Sequence, residues 1–314
     1  MKARTLSSSL NAELDRAKFL ALPDIAAFTA WLAAELPSLP VHLKLRRSQF
    51  VPQAIDVRLT GIEQVRDHYQ WKGTWPVVQR QLSTLRADLQ AAVQAGDDEA
   101  AYLASVAILD WGNVPKSTSF LETLRCDRKL VSYLTTRAKL LSPVGTQQLT
   151  ELTKTVFYKF NSGLTKVHAL LDGHGSPIYD GRVGAAIAML YHLYRQSDLA
   201  AGPADHQVFA WGPGMEVQQA TVLRQIRNPR LLGYAGTPQL LGHQSPHLWA
   251  RRQLILSWII REVLQKSRLF EGDKTDLAGR CHAFEAGMFM LGYDLRALVP
   301  GGWAVPNPVR KGKV

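Results

Sequence analysis

Phe160-Asn161-Ser162-Gly163-Leu164-Thr165-Lys166-Val167-His168-Ala169-Leu170-Leu171 runs on, after five residues of Gly and polar side chains, to Pro177-Ile178-Tyr179-Asp180-Gly181-Arg182-Val183. Asn161-Ser162-Gly163 is turn chemistry, since Asn and Ser side chains bond nearby backbone and Gly relaxes the φ restriction. Residues 164–171 then read as a short helix. The run 172–177, with Gly173, Gly175 and Pro177, breaks it. A second helix begins near Asp180 and carries Val183, Ile187, Leu190 and Leu193 at helical spacing. Asp180 therefore falls at a helix N-terminus and Lys166 near the start of the helix before it.

Outward from this stretch, helical periodicity dominates. Ile25, Phe28, Trp31 and Leu32 mark one amphipathic helix, and Thr60 with Glu63 is a candidate capping box for a helix running towards Trp71. Residues 77–94 and 98–109 read as two helices parted at Gly96. Ser119 with Glu122 suggests a helix towards Leu140, and 147–160 reads as the next. Only 41–59 alternates like a strand, as in His42-Leu43-Lys44-Leu45, so at most a small β element is expected. Residues 202–214 read as a surface loop, and 224–229 as the end of a further helix. Ser245-Pro246 starts a helix carrying Trp249, Leu254, Trp258 and Val263. Another spans 276–291, and the basic tail 308–313 reads as disordered. The expectation is a mainly α chain in two helical lobes, 1–145 and 146–314, with the boundary left open to one domain.

Composition narrows the partners. Lys and Arg number 37 against 26 Asp and Glu, a formal charge of +11, which favours a polyanion through counterion release. Charge alone leaves DNA, RNA and anionic membrane open. The longest apolar run, 254–260, is far too short to span a bilayer, and residues 1–10 lack the apolar stretch of a signal peptide. Cys126 and Cys281 are far apart, without metal-ligand spacing, which fits a reducing cytoplasm and gives no disulfide framework or self-contained iron–sulfur cluster. No cofactor and no metal are expected. His243 and His247 have i,i+4 spacing, but Pro246 lies between them and no carboxylate is near in sequence.

The stretch 160–183 resembles the heart of the helix-hairpin-helix DNA glycosylase superfamily. There a glycine-rich hairpin precedes a helix beginning with Lys, then a loop, an apolar pair, the catalytic Asp and another helix. More narrowly, it is similar to a group of bacterial proteins with the 8-oxoguanine glycosylase fold, in which a Thr-Lys or Ser-Lys step precedes Tyr-Asp-x-Arg-Val; Trp111-Gly112 matches a Trp-Gly step upstream. The resemblance is specific over roughly 160–190. The hairpin keeps one glycine, Gly163, where the superfamily usually has two, and the interval between Lys166 and Asp180 is shorter than usual.

The resemblance implies a DNA glycosylase with Asp180 as the catalytic carboxylate and Lys166 as the lysine that bifunctional members use as nucleophile. Asn161, Ser162, Gly163, Thr165 and Arg182 would meet DNA. The implied partner is double-stranded DNA with a modified base, bound by a monomer. Related defence enzymes suggest a hypermodified phage base such as glucosylated hydroxymethylcytosine; an oxidised purine such as 8-oxoguanine is the alternative. The chemistry is coherent. Breaking an N-glycosidic bond builds positive charge on the sugar, which a fixed carboxylate stabilises, and a lysine whose pKa is lowered by burial can attack C1′.

Each residue has a plainer reading beside this one. Asp180 as an N-cap needs no chemistry, and Lys166 as a phosphate contact needs no nucleophilicity. His168 points to another helix face from Lys166 and reads as a satisfied structural histidine. Trp111, Tyr179, Trp211 and Trp249 are base-stacking candidates or ordinary packing. Lys44, Arg46 and Arg47, like Arg224, Arg227 and Arg230, are phosphate contacts or solvated faces. Two other function classes stay open: a non-catalytic DNA-binding sensor on the same fold, and an all-helical RNA-binding or scaffold protein.

Overall fold

A computed structural model describes residues 8–210, 225–234, 245–273 and 275–306. The chain opens with α1 (Arg16–Leu20), capped by Asp15, and α2 (Pro23–Glu35), which has proline in its first turn. An antiparallel pair follows, β1 (Pro40–Leu45) and β2 (Ile55–Thr60), in register from Pro40 opposite Thr60 to Leu45 opposite Ile55. Val41, Leu43 and Leu45 are buried, as the alternation requires. α3 (Gly61–Asp67) begins directly after β2. Its expected capping box does not form: Gln64 Oε1 accepts the Thr60 N–H at 2.9 Å, and Glu63 accepts the N–H of Phe270 at 2.6 Å.

α4 (Trp75–Ala95) ends on Gly96, whose φ of 71° is the left-handed stop that glycine tolerates best. Asp97 caps α5 (Asp98–Trp111) by accepting the Ala100 N–H. The single helix expected from Ser119 towards Leu140 is two, α6 (Thr118–Cys126) and α7 (Leu130–Leu141), because Arg128 turns left-handed at φ 55°. Ser119 is already inside α6, and Glu122 pairs with Arg125 rather than capping. The helix expected over 147–160 is also absent. Gln148 and Glu151 form a capping box, but it opens only the 3-10 turn Leu149–Glu151. Thr153 then bonds locally, to the Thr155 hydroxyl and the Val156 N–H, and such bonds compete with helix propagation.

α8 (Leu164–Leu171) and α9 (Gly181–Arg195) fall where the sequence places them, and so do α10 (Pro246–Lys266) and α11 (Leu277–Leu291). Residues 225–228 are not helical; a 3-10 turn, Pro229–Leu232, follows. Within the expected loop 202–214, His206–Phe209 form a 3-10 turn, while 211–214, Arg224, His243 and the tail 308–313 lie outside the described residues. The fold is mainly α with one small sheet.

Packing does not divide near residue 145. α1, α2, α3 and the hairpin lie against α9, α10, α11 and the 3-10 turn Leu295–Leu298, whereas α4, α5 and α7 pack around α8. One buried apolar cluster joins both groups, from Leu10 to Leu298. Chain ends thus cover each other's apolar faces, and side chains of α8, the start of α9 and α11 face one another across a junction between the two groups.

Candidate active site

That junction holds a cavity of about 250 Å³ whose lining includes Lys166 from α8, Asp180 and Arg182 from the start of α9, and Glu285 from α11. Aromatic and apolar walls come from Phe50, Tyr69, Trp71, Trp111, Ile178, Trp249 and Phe289. Phe50, in the loop after β1, stacks on Trp71 with ring centres 4.3 Å apart and planes 11° from parallel. The end of α5 is tied to this wall: Trp71 Nε1 donates to the Trp111 carbonyl at 3.3 Å and Lys72 Nζ to the Asp110 carbonyl at 3.0 Å.

Asp180 is the N-cap of α9. Its Oδ1 accepts the N–H groups of Arg182 at 2.9 Å and Val183 at 3.1 Å. Its Oδ2 lies 4.0 Å from Lys166 Nζ. One oxygen is therefore fixed by the helix and the other faces the amine. Lys166 is 5% exposed and Asp180 7%, so the pair is screened little by water. Lys166 Nζ also donates to the Ser162 carbonyl at 2.9 Å. Burial pushes the ammonium below its ordinary pKa, against the opposing pull of Asp180 and Glu285. The N-cap role and a chemical role for Asp180 are thus compatible, each using its own oxygen.

The turn before α8 is built for capping. Asn161 Oδ1 accepts the N–H groups of Gly163 and Leu164, at 2.9 and 3.1 Å, and the Ser117 hydroxyl at 3.0 Å. Gly163 is buried in an ordinary right-handed conformation. The expectation that Gly163 offers its N–H to a phosphate is corrected accordingly, since that N–H is used inside the protein, while Asn161 is half-buried beside it. Thr165 is fully buried and is likewise removed from the DNA-facing set. Its hydroxyl donates to Gln253 Oε1 at 2.6 Å and accepts the Tyr179 N–H at 2.8 Å, tying α8 to α10 and to the segment ahead of Asp180. Ser162 lines the cavity.

Arg182 also lines it, with its guanidinium 5.0, 4.8 and 4.4 Å from the rings of Trp71, Phe289 and Tyr293. Trp111 and Trp249 are on the wall; Trp249 Nε1 donates to the Tyr179 carbonyl at 2.7 Å. Tyr179 itself is turned into the core, 1% exposed, its hydroxyl on the Ala210 carbonyl, so it is not a stacking surface. Trp211 lies outside the described residues. Arg227 is buried against Gln225 and the Tyr293 carbonyl, whereas Arg46, Arg47 and Arg230 are exposed. Lys44 pairs with Asp56 at 3.1 Å. His168 is buried as a structural residue should be, but neither ring nitrogen finds a hydrogen-bond partner among the described residues. No cluster of three metal-ligating side chains occurs among the described residues.

Three features of the cavity escape a reading of 160–183. Phe50 and Trp71 come from segments with no sequence link to the motif. Gly112 supplies the space for the Lys166 stem: a Cβ there would stand 2.5 Å from Lys166 Cδ. Glu285 has a signal that was open to view, a lone acid within Ala283-Phe284-Glu285-Ala286-Gly287-Met288-Phe289 on a helix buried on nearly every side. Such a carboxylate is costly without a reason for being there. In comparisons with known proteins, the chain matches no family model, no curated protein and no solved structure.

Proposed function

We propose that this protein is a DNA glycosylase that takes a modified base into the α8–α9–α11 cavity and breaks its N-glycosidic bond, leaving an abasic site. One observation carries the reading: a buried lysine amine 4.0 Å from a buried carboxylate, inside an aromatic-walled cavity. As the bond to the base lengthens, positive charge grows at C1′, and Asp180 Oδ2 stabilises it. The Lys166 amine, its pKa lowered by burial, attacks C1′ while the bonding pair leaves with the base. Proton loss and ring opening give a Schiff base, whose hydrolysis frees the lysine and the abasic sugar. The aromatic walls offer stacking faces for a flipped base, and the +11 charge, with exposed Arg46 and Arg47 in the loop that carries Phe50, suits a duplex partner.

The substrate we favour is a bulky, polar modified base of the glucosylated hydroxymethylcytosine type, for which Ser162, Arg182 and Asn113 on the cavity wall supply polar contacts. The deciding experiment incubates the protein with three DNAs: glucosylated phage DNA, the same sequence unmodified, and an 8-oxoguanine duplex. Strand breaks after alkali count abasic sites. Release only from glucosylated DNA supports the whole reading. Release only from the oxidised duplex keeps the glycosylase and replaces its substrate. Release from neither, with duplex binding intact, leaves a DNA-binding sensor.

A further inference from the structure

Glu285 is the one cavity-lining carboxyl that the reaction above leaves unused. It sits on α11, 9% exposed, and shares the cavity with ionisable groups from α8, from the start of α9 and from the segments that carry Tyr69 and Arg227. Lys166 approaches from α8 and Asp180 from the start of α9, both close enough to couple to it electrically. Tyr69 approaches from the segment after α3 and feels its charge. Arg182 and Arg227 also line the cavity, but their guanidiniums are occupied, the first by three aromatic rings and the second by Gln225 and the Tyr293 carbonyl. The backbone N–H of Ile178 pulls the Glu285 carboxyl the other way, towards its charged form, but less strongly than burial and the Asp180 charge oppose it. The three principal groups would carry two negative charges and one positive if all ionised. Lys166 is held 4.0 Å from Asp180 and balances that carboxylate. A second buried negative charge then has no ion pair among the described residues, and the low-dielectric interior disfavours it.

We propose that Glu285 is the acid of this site: it keeps its proton at neutral pH and delivers it to the departing base. The proposal rests on the glycosylase reading. Once the Lys166 ammonium has given a proton to water, its nitrogen bonds to C1′, the C1′–N bond to the base breaks and its electron pair stays on the base. The Glu285 O–H proton passes to a ring nitrogen or carbonyl oxygen of that base, so the leaving group departs neutral. Glu285, now a carboxylate, takes a proton from water once the product has gone. This divides the labour between two carboxyls as their surroundings dictate. Asp180 is held by two N–H groups and faces a lysine, whereas Glu285 sits in an apolar helix face. Burial first, and the Asp180 charge second, push the Glu285 carboxyl up to about 8, so the proton is in place at physiological pH and is lost in mild alkali.

The test compares wild type with Glu285→Gln on whichever DNA wild type cleaves, in single turnover from pH 6 to 10. Binding to a duplex carrying a tetrahydrofuran abasic analogue serves as the folding and docking control. Glutamine keeps the shape and removes the acid. The wild-type rate should fall as pH rises through about 8. The variant should be slower at pH 7 by about 10- to 100-fold, the usual worth of one acid–base group, and should lack that alkaline fall, with duplex binding unchanged. A base that leaves easily without protonation should restore most of the variant's rate, which a merely structural role does not predict. A variant with the wild-type rate and the wild-type alkaline fall overturns the proposal and leaves the glycosylase standing. A wild-type protein that releases no base overturns both.

Discussion

The α-carbon of Gly112 lies against the methylene stem of Lys166, so closely that a Cβ at residue 112 would stand 2.5 Å from Cδ and 2.7 Å from Cε. The end of α5 thus acts as a channel that aims the amine at Asp180. Gly112 has an unstrained φ of −74°, so alanine meets no backbone penalty there. The colliding atoms belong to the outer part of a flexible side chain, which can move. Gly112→Ala should therefore keep stability within about 1 kcal/mol while misplacing the amine and cutting base release by about 10-fold or more. Thermal unfolding and single-turnover excision measure the two effects. Wild-type excision by this variant would show that the position of the amine is immaterial.

Asp180→Asn separates the two oxygens of the carboxylate. Asparagine is as good an N-cap as aspartate, so α9 should start normally, while the buried Lys166 loses its charge partner and the melting temperature should fall. The charge facing the sugar is gone, and excision should drop by about 10²-fold or more. Duplex affinity should hold or rise, because a negative charge has left the cavity. Unimpaired excision would place the catalyst elsewhere. Asp180→Ala loses the cap as well and should cost about 1 kcal/mol more than Asp180→Asn in denaturant titration.

Borohydride reduction examines Lys166. With its amine buried in the cavity and 4.0 Å from Asp180, a reducible enzyme–DNA adduct should be trapped on a cleavable substrate. Lys166→Gln should trap none. Wild-type excision without any adduct would mean that water, not the amine, attacks C1′, and that Lys166 serves to position Asp180.

His168 governs an acid limit that has nothing to do with the site. Its ring stacks on Phe160, 5.7 Å away and 18° from parallel, and burial pushes its pKa from 6.5 down to about 3. The folded protein therefore binds fewer protons here than the unfolded chain does between those values. The stability from keeping it neutral is whole above about 6.5 and is lost as pH falls towards 3. His282 is pushed the same way, so both contribute to acid unfolding. His168→Phe removes a buried group with two unpaired ring nitrogens and should move the acid midpoint to lower pH. At neutral pH the change should lie within about 1 kcal/mol of wild type, or favour the variant. An unmoved acid midpoint would show that this ring is not the group that titrates.

The elements with strong local signals were legible without coordinates. α8, α9, α10 and α11 sit where periodicity, Asp180, Ser245-Pro246 and Asp276 placed them, and the 41–59 alternation became the β1–β2 pair. Misreadings came where weak local rules competed. Residues 147–160 have apolar spacing, but Thr153 prefers its own backbone bonds. Thr60 and Glu63 have the spacing of a capping box, yet Gln64 and the distant Phe270 offered better partners.

The sequence by itself determined that Asp180 opens a helix and that Lys166 lies in the first turn of the helix before it, because caps and breakers act within a few residues. It also determined the mainly helical character and the basic surface. Only the tertiary structure decided that the two side chains meet 4.0 Å apart, that Gly112 makes room for one of them and that Glu285 joins from the far end of the chain. It also decided that Thr165 and Tyr179, inside the same motif, point into the core. Side-chain direction follows from how helices pack, and α8 packs among α4, α5 and α7 while α9 packs against α2 and α11. Those contacts join residues far apart in the chain, and no local pattern of apolar spacing encodes them.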